Sequence, residues 1–458
     1  MTATARPSDV RIDHAEVRYR AVPFRTPLVL SSGPITGLTE AQVTLGVRNR
    51  TGAAASGHGT VLLSHPWAYG GTPCQGEDRD AVMRTVVELA RDAAVAADGY
   101  HDPLRLGTDL ARALGEFVGQ ARAVHQLPHP MPRLAGLLCL APVDTALHDA
   151  WARAAGGSAY PLYDADHLGA DLADYLGPAF AGRHPADFLA RHPAARMPVQ
   201  HVVGLDEPLT PAESGGPDRP DSAGGPPADL AAWVRRDGVR WLKLKVHGAA
   251  PDHDAARVRA AYRVAAEALA ARGAGPARPR LSLDPNEAYG GPEELLTLVR
   301  LLEHDAPEVR RALVYAEQPF PRDASHHPGA LTTLGAELPV VADEGADDAT
   351  RLDELAAEGW SGVAVKTAKG QTQTLLAACW ARRHGRFLTL QDLTSVGAAL
   401  EHSAACAAHL PRSVPALECN SRQYAPDGNA ELAARRPALL RVHDGELYVP
   451  DIGRSGIR

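Results

Sequence analysis

Trp241-Leu-Lys-Leu-Lys-Val-His-Gly248 reads as a short strand running into a loop, with lysines two residues apart. Side chains two apart on a strand point the same way, so Lys243 and Lys245 share one face. Two inward amines are costly to bury without a counter-charge; the plainer alternative is a pair of surface lysines on an edge strand. The segments that follow supply the counter-charge. Leu281-Ser-Leu-Asp-Pro-Asn-Glu287 ends an apolar run in Asp284, and Pro285 stops its continuation. Val314-Tyr-Ala-Glu-Gln-Pro-Phe320 places Glu317 likewise, and Pro339-Val-Val-Ala-Asp-Glu-Gly345 places Asp343 and Glu344. These carboxylates are about 33 and about 26 residues apart, close to one strand–helix unit each. Ser361-Gly-Val-Ala-Val-Lys366 then ends in another lysine.

Outward from these segments the rhythm continues. Short apolar strands are expected at 197–203, 241–246, 280–283, 312–316, 339–342, 362–365, 387–390 and 414–417, separated by Ala-rich helical stretches. Eight such units predict an α/β chain folded as a (β/α)8 TIM barrel, with a doubly wound sheet as runner-up. In a barrel the functional groups stand where strands end, so the charged residues above meet at one rim. Residues 207–228 interrupt the pattern with a Gly/Pro-rich run that cannot hold a helix or ladder and reads as a mobile loop.

The first region carries strand signals before helix signals, which predicts a separate α+β domain. Val10, Ile12 and Val17 lead into one strand, and Val43, Leu45 and Val47 alternate along another. Leu30-Ser-Ser-Gly-Pro-Ile-Thr-Gly37 reads as a loop or hairpin, and Gly57-His-Gly-Thr60 as a second loop running on through Trp67 and Tyr69. Helices are expected at 79–98 and 107–123. The resulting division is a capping domain over 1–135, the barrel over 136–435, and a tail over 436–458 that returns to the capping domain as strands.

At 458 residues the chain is too long for one ordinary core. Its net charge of −8 offers no basic surplus for nucleic acid and disfavours an anionic membrane surface. The five cysteines (Cys74, Cys139, Cys379, Cys406, Cys419) are scattered and odd in number, which fits free thiols in a reducing cytosol. No signal peptide or spanning run is expected, so the protein is predicted to be cytoplasmic, soluble, and acting on a small-molecule carboxylate. Homo-oligomerisation is a prior only.

Any single Asp at a strand end is more often a helix cap. Three carboxylates in consecutive units instead suit Mg²⁺, a hard cation that takes oxygen ligands. A substrate carboxylate on that metal would hold its α-carbon between Lys245 and Lys366.

The Lys-x-Lys of 243–245, Asp-x-Asn at 284–286, Glu317-Gln-Pro and Ala342-Asp-Glu together resemble the enolase superfamily. Lys366 with Lys369-Gly370 looks like its muconate-lactonizing and dipeptide-epimerase branch, within the mandelate racemase/muconate lactonizing enzyme family. Ala141-Pro-Val-Asp-Thr-Ala-Leu-His-Asp149, before the barrel, belongs to the same likeness. The resemblance implies Asp284, Glu317 and Asp343 as Mg²⁺ ligands, with Glu344 an alternative third ligand and Asn286 supporting the metal shell. It implies Lys245 and Lys366 as an acid/base pair and Lys243 as a neutraliser of the substrate carboxylate. Glu418 would hydrogen-bond the enolate oxygen, and Gln391 and Asp392, at the end of strand seven, would bind substrate. The sequence departs from the branch at Gly370-Gln371, where Gly-Gly is usual, at the tail Asp451-Ile-Gly-Arg-Ser-Gly456, and in the 207–228 insertion.

The expected chemistry is abstraction of the proton α to a carboxylate, with the enolate charge spread over Mg²⁺ and Lys243. A lysine base must be neutral, and a nearby cation and second ammonium favour that form of Lys245. Two bases permit racemisation or epimerisation; dehydration or cycloisomerisation is the alternative, and a non-catalytic binding protein on the same fold the rival from another class. Residues 28–36 and 57–69 are expected to close over the barrel mouth. With few charges there, and Glu40 just beyond, they predict a polar or aromatic contact to the distal part of the substrate.

Overall fold

The computed structural model describes residues 4–30, 33–70, 76–214, 226–248, 250–273, 278–322 and 328–458. The N-terminal part is an antiparallel sheet of β1 (Val10–Leu30), β2 (Gly33–Asn49) and β3 (Ala54–Leu62) in that order. Along β2 and β3, Ala41, Val43, Leu45, Val47 and Val61 turn inward and are buried. Four helices follow: α1 (His65–Tyr69), α2 (Gly76–Ala96), α3 (Pro103–Val124) and α4 (Arg133–Ala154).

The expected loop at 57–60 is instead part of β3, and its glycines have a packing reason. A Cβ on Gly57 would stand 2.2 Å from the Ala146 carbonyl, and one on Gly59 2.0 Å from that of Pro142. Glycine here lets β3 lie directly on the backbone of α4; it does not mark a turn. The helix crosses residue 135, so the expected domain boundary falls inside one continuous element.

The second part is the (β/α)8 barrel. Its strands are β4 (Arg196–Val203), β5 (Trp241–Lys245), β6 (Arg280–Asp284), β7 (Leu313–Glu317), β8 (Val340–Ala342), β9 (Gly362–Val365), β10 (Phe387–Leu390) and β11 (Leu417–Glu418). They pair in parallel from β10 back to β4 and on to β11. The seam between β10 and β11 is closed by Ser413, whose N–H donates to the Leu388 carbonyl (2.8 Å) while its hydroxyl accepts from Leu388 N–H (3.0 Å). The last strand begins three residues later than the expected 414. Pro415 explains this, because it has no N–H to give to a ladder.

Tyr315, Val341, Ala364, Val414 and Ala416 form one buried cluster. A buried polar layer joins Gln200, Ser282, Tyr315 and Gln391. The tail forms β12 (Glu446–Tyr448), which pairs antiparallel with β4, so the strand expected to return to the capping domain is an added strand on the barrel. Its final residues reach α4: Ile457 N–H and Arg458 both donate to Asp149, which also accepts from His58 N–H of β3.

Cys139, Cys379, Cys406 and Cys419 are free and buried; Cys74 and the 215–225 core of the insertion lie outside the described residues. Among the described residues no helix is long and apolar enough to cross a membrane.

Candidate active site

Five consecutive strands deliver the charged groups to one end of the barrel. Lys243 and Lys245 close β5, Asp284 closes β6 and Glu317 closes β7; Asp343 and Glu344 follow β8, and Lys366 follows β9. Every one of these side chains is buried. Lys243 lies at the centre, 2.9 Å from Asp284, 2.9 Å from Glu317 and 3.1 Å from Glu418. Lys245 reaches Asp284 at 2.6 Å and also donates to Asn286. On the far side Lys366 pairs with Asp343 and stands 3.7 Å from Glu317. The sequence-derived set therefore converges.

The electrostatics follow from this crowding. Burial alone would lower the Lys243 pKa, but Asp284, Glu317 and Glu418 hold it well above its usual value. Lys366 behaves the same way: burial works against its charge, and Asp343 with Glu317 overrides that. Burial pushes Glu317 up to about 8, against Lys243. Burial and the neighbouring Asp343 push Glu344 up to about 7. Asp284 goes the other way, to about 2, because Lys243 and Lys245 outweigh its burial. The carboxylates around Lys366 thus favour its protonated form.

The donor set fits a divalent cation in charge and chemistry. Glu317 Oε2 and Glu344 Oε2 are buried oxygens with no hydrogen-bond partner, and Asp343 Oδ1 has only the ion-pair contact with Lys369 at 3.1 Å. Asp284, Glu317, Asp343, Glu344, Asp392 and Glu418 outnumber Lys243, Lys245, Lys366 and Lys369 by two charges when all are ionised. Among the described residues no three acidic, histidine or cysteine side chains are already gathered in a metal-binding cluster. The ammonium groups of Lys243 and Lys366 stand between the carboxylates. Asp284, Glu317 and Asp343 could hold the ion, with Glu344, whose Oε1 accepts from the Trp67 indole at 2.8 Å, as the alternative third ligand.

The remaining expected residues divide. Asp392 and Glu418 line the cavity over the lysines. Asp392 is raised to about 6 by burial and by Glu418. Gln391 does not line that cavity. Its carbonyl accepts from Lys243 at 3.2 Å, and its amide donates to Tyr315 and Thr389, both at 2.7 Å, so it supports Lys243 from inside the barrel.

Several contributors have no role assigned to them in the sequence expectations. Gln318, at φ 33°, accepts from Asp343 N–H at 2.8 Å and Gly345 N–H at 3.0 Å, which fixes the loop that carries Asp343. Its place in Glu317-Gln-Pro was the only signal. Lys369 donates to the Asp343 carbonyl and lies 3.1 Å from its carboxylate. Trp67, from α1, lays its ring under the Lys366 ammonium at 4.6 Å. Arg322 holds α1 in place by donating to the carbonyls of Ala68 (3.1 Å) and Trp67 (3.3 Å), while Glu287 accepts from its guanidinium. That clamp joins the two parts of the chain directly over the reaction centre.

The cavity here is small, about 30 Å³. Lys243, Lys245, Lys366, Asp392 and Glu418 form part of its lining; Leu28, Leu30, Ile35, Leu38 and Trp67 come from the capping part. Of the expected closing segment 28–36, Leu28, Leu30 and Ile35 line the cavity, and apolar side chains dominate it; Ser31 and Ser32 lie outside the described residues. From 57–69 only Ser64 and Trp67 reach the cavity. Glu40 is turned away, bound to Arg20 at 2.8 Å. A roomier cavity of about 500 Å³ lies between Arg25, Pro27, Val29, Glu207, Trp233 and Tyr424, and none of the lysines above lines it.

Residues 227–457 match the family described as enolase C-terminal domain-like. No curated protein sequence matches the chain. Among solved structures, a dipeptide epimerase from Enterococcus faecalis V583, complexed with Mg and L-Leu-L-Tyr, is similar at TM-score 0.60 and 16% identity, over 98% of this chain and 99% of that one. A mandelate racemase/muconate lactonizing enzyme from Roseiflexus sp. gives TM-score 0.59 and 19% identity, over 99% and 98%. A dipeptide epimerase from Methylococcus capsulatus, complexed with Mg and L-Arg-D-Lys, gives 0.58 and 19%, over 98% and 99%. The family match covers half of the chain and includes the ordered strand ends from β5 to β11. The protein is an enzyme of the enolase superfamily, in its mandelate racemase/muconate lactonizing enzyme family.

Proposed function

We propose that this enzyme abstracts the proton α to a carboxylate in a small molecule and returns it, racemising or epimerising that carbon, with Mg²⁺ as cofactor. The observation that carries the reading is the pair of buried amines, Lys245 and Lys366, on opposite sides of a carboxylate cluster with Lys243 between them. Asp284, Glu317 and Asp343 would hold the Mg²⁺, which supplies Lewis-acid stabilisation of negative charge on the substrate carboxylate.

The chain's own groups perform the rest. Lys243 neutralises charge developing on the carboxylate, in a site with low water access where such a contact is strongest. Lys245 takes the proton from one face, and Lys366 donates one to the other. Glu418, 3.1 Å from Lys243, would hydrogen-bond the enolate oxygen. The apolar roof of Leu28, Leu30, Ile35 and Leu38 excludes water while the carbanion exists.

A second reading, β-elimination of water, is favoured by Asp392. Raised to about 6, this carboxyl keeps its proton further toward neutral pH than an ordinary aspartate and can assist a leaving hydroxyl.

The test is incorporation of solvent deuterium at the α-carbon, with Mg²⁺ present, across N-acyl amino acids, dipeptides, proline derivatives and sugar acids. Exchange with inversion and no loss of water supports racemisation or epimerisation; loss of water supports elimination. Full-rate exchange in both Lys245→Ala and Lys366→Ala would falsify the two-lysine assignment.

A further inference from the structure

The turn that carries Lys366 is polar and yet almost wholly dry. Thr367, Lys369, Gln371, Thr372 and Thr374 are all buried with it. The helix Gln371–Arg383 starts here on Gly370, which has no side chain with which to cap it. The first turn of a helix leaves N–H groups unsatisfied, and burying them without acceptors is costly. The acceptor comes from another part of the chain. Asp144, in the middle of α4, accepts from Thr372 N–H at 2.8 Å and from the Thr372 hydroxyl at 2.6 Å. Gly370 is required by the approach, at φ 98°, since a Cβ there would stand 2.9 Å from Asp144 Oδ2.

The rest of the turn is fixed in the same manner. His148, one turn along α4, places Nε2 2.9 Å from the Thr372 hydroxyl and Nδ1 2.8 Å from the Tyr163 hydroxyl. Gln371 donates to that same Tyr163 hydroxyl at 3.3 Å, and its carbonyl accepts from His402 Nε2 at 2.7 Å. Burial lowers the His402 pKa to about 3, so that ring is a neutral donor. Thr374 donates back to the carbonyls of Lys366 (3.0 Å) and Gly370 (2.7 Å), so the main chain on both sides of the turn is tied. Gln371, a departure from the family's glycine, is therefore matched by partners at both ends of its amide. Lys245 has no part in this. It stands on β5 and is held by Asp284 and Asn286.

We propose that Asp144, supported by His148 and Gln371, is a positioning residue for Lys366: a tertiary helix cap that holds the Lys366–Lys369 turn and, through it, one of the two amines. This rests on the two-lysine reading above. A cap of this kind contributes about 1 kcal/mol, roughly fivefold in an equilibrium, and that contribution falls on one side of the reaction centre only.

The variants are Asp144→Ala, which removes the capping oxygens, Thr372→Val, which removes the hydroxyl at constant shape, and Thr372→Ser, which restores it. Reductive methylation of the full chain without substrate, followed by peptide mass spectrometry, reads each lysine separately. Lys366 should label about fivefold faster in Asp144→Ala, faster than the parent in Thr372→Val, return toward the parent rate in Thr372→Ser, and leave Lys245 unchanged. Equal acceleration at both lysines, or none at either, overturns the proposal. Should Asp144→Ala fail to fold, the Thr372 pair carries the same comparison.

With Mg²⁺ and an exchanging substrate, α-deuteration is then followed from each enantiomer, with Lys245→Ala and Lys366→Ala assigning a lysine to each. The Asp144 and Thr372→Val variants should slow only the Lys366-dependent enantiomer. If the two lysine variants themselves do not separate the enantiomers, the two-lysine reading fails, while the labelling result still decides whether Asp144 positions Lys366.

Discussion

Lys243 touches three carboxylates and a glutamine, whereas Lys245, two residues on, touches one carboxylate and an asparagine. Replacing Lys243 by methionine keeps the stem and removes the charge, leaving Asp284, Glu317 and Glu418 buried without their shared cation. Breaking a buried ion pair on one side costs about 3–5 kcal/mol. Lys243→Met should therefore lower the urea midpoint far more than Lys245→Met; equal losses would mean that Lys243 is not the centre of the charge network. Trp67 permits a second comparison. Trp67→Phe removes the N–H that Glu344 accepts but keeps a ring under Lys366, and a hydrogen bond to a charged group is worth about 1.5–3 kcal/mol. Trp67→Leu removes both, and should lower the melting temperature further, by an added cation–π contribution of up to about 2 kcal/mol. Identical melting temperatures for the two variants would show that the ring contributes nothing to Lys366.

At the scale of elements, the interface between β3 and α4 rests on two glycines rather than on side-chain fit. Gly57→Ala or Gly59→Ala would drive a methyl into the α4 backbone, and overpacking of that kind costs about 1–3 kcal/mol. Gly115, inside α3, has open space around its Cβ position. Gly115→Ala should be neutral or stabilise by up to about 1 kcal/mol through helix propensity. Denaturant melts of the three variants test this, and an unchanged midpoint for Gly59→Ala would refute the close approach. The same glycines show where a sequence misleads. Gly at 57 and 59 carries a turn signal, while its actual reason lies on a helix more than eighty residues later. The charged strand ends were readable because apolar runs stop at them and strand spacing orders them. The roles of Gln318 and Trp67 were not, because their partners lie across a loop or across the two parts of the chain, and only the Glu317-Gln-Pro motif marks Gln318.

For the whole molecule, one buried carboxylate links parts that are remote in sequence. Asp149 sits on α4, accepts the His58 N–H of β3 at 3.0 Å, and binds Arg153, Ile457 N–H and Arg458. Burial alone would raise its pKa, but Arg458, Arg153 and these N–H donors bring it below the ordinary value. An acid whose folded pKa lies below its unfolded value of about 3.9 stabilises the fold above that value, and the contribution fades as pH falls through the folded pKa. The contribution is therefore fully present at neutral pH, and its loss sets in below about pH 4. Urea midpoints measured from pH 7 down to pH 3 should fall steeply at the acid end in the parent chain. Other buried carboxylates titrate in the same range, so the informative quantity is the difference from Asp149→Asn. That variant is expected to start lower at pH 7, since its neutral amide no longer balances two guanidinium groups, and to lose less between pH 5 and pH 3. Parallel curves would mean that Asp149 carries no linked proton, and that the tail is held on α4 by its apolar contacts and the Tyr160–Ile457 hydrogen bond instead.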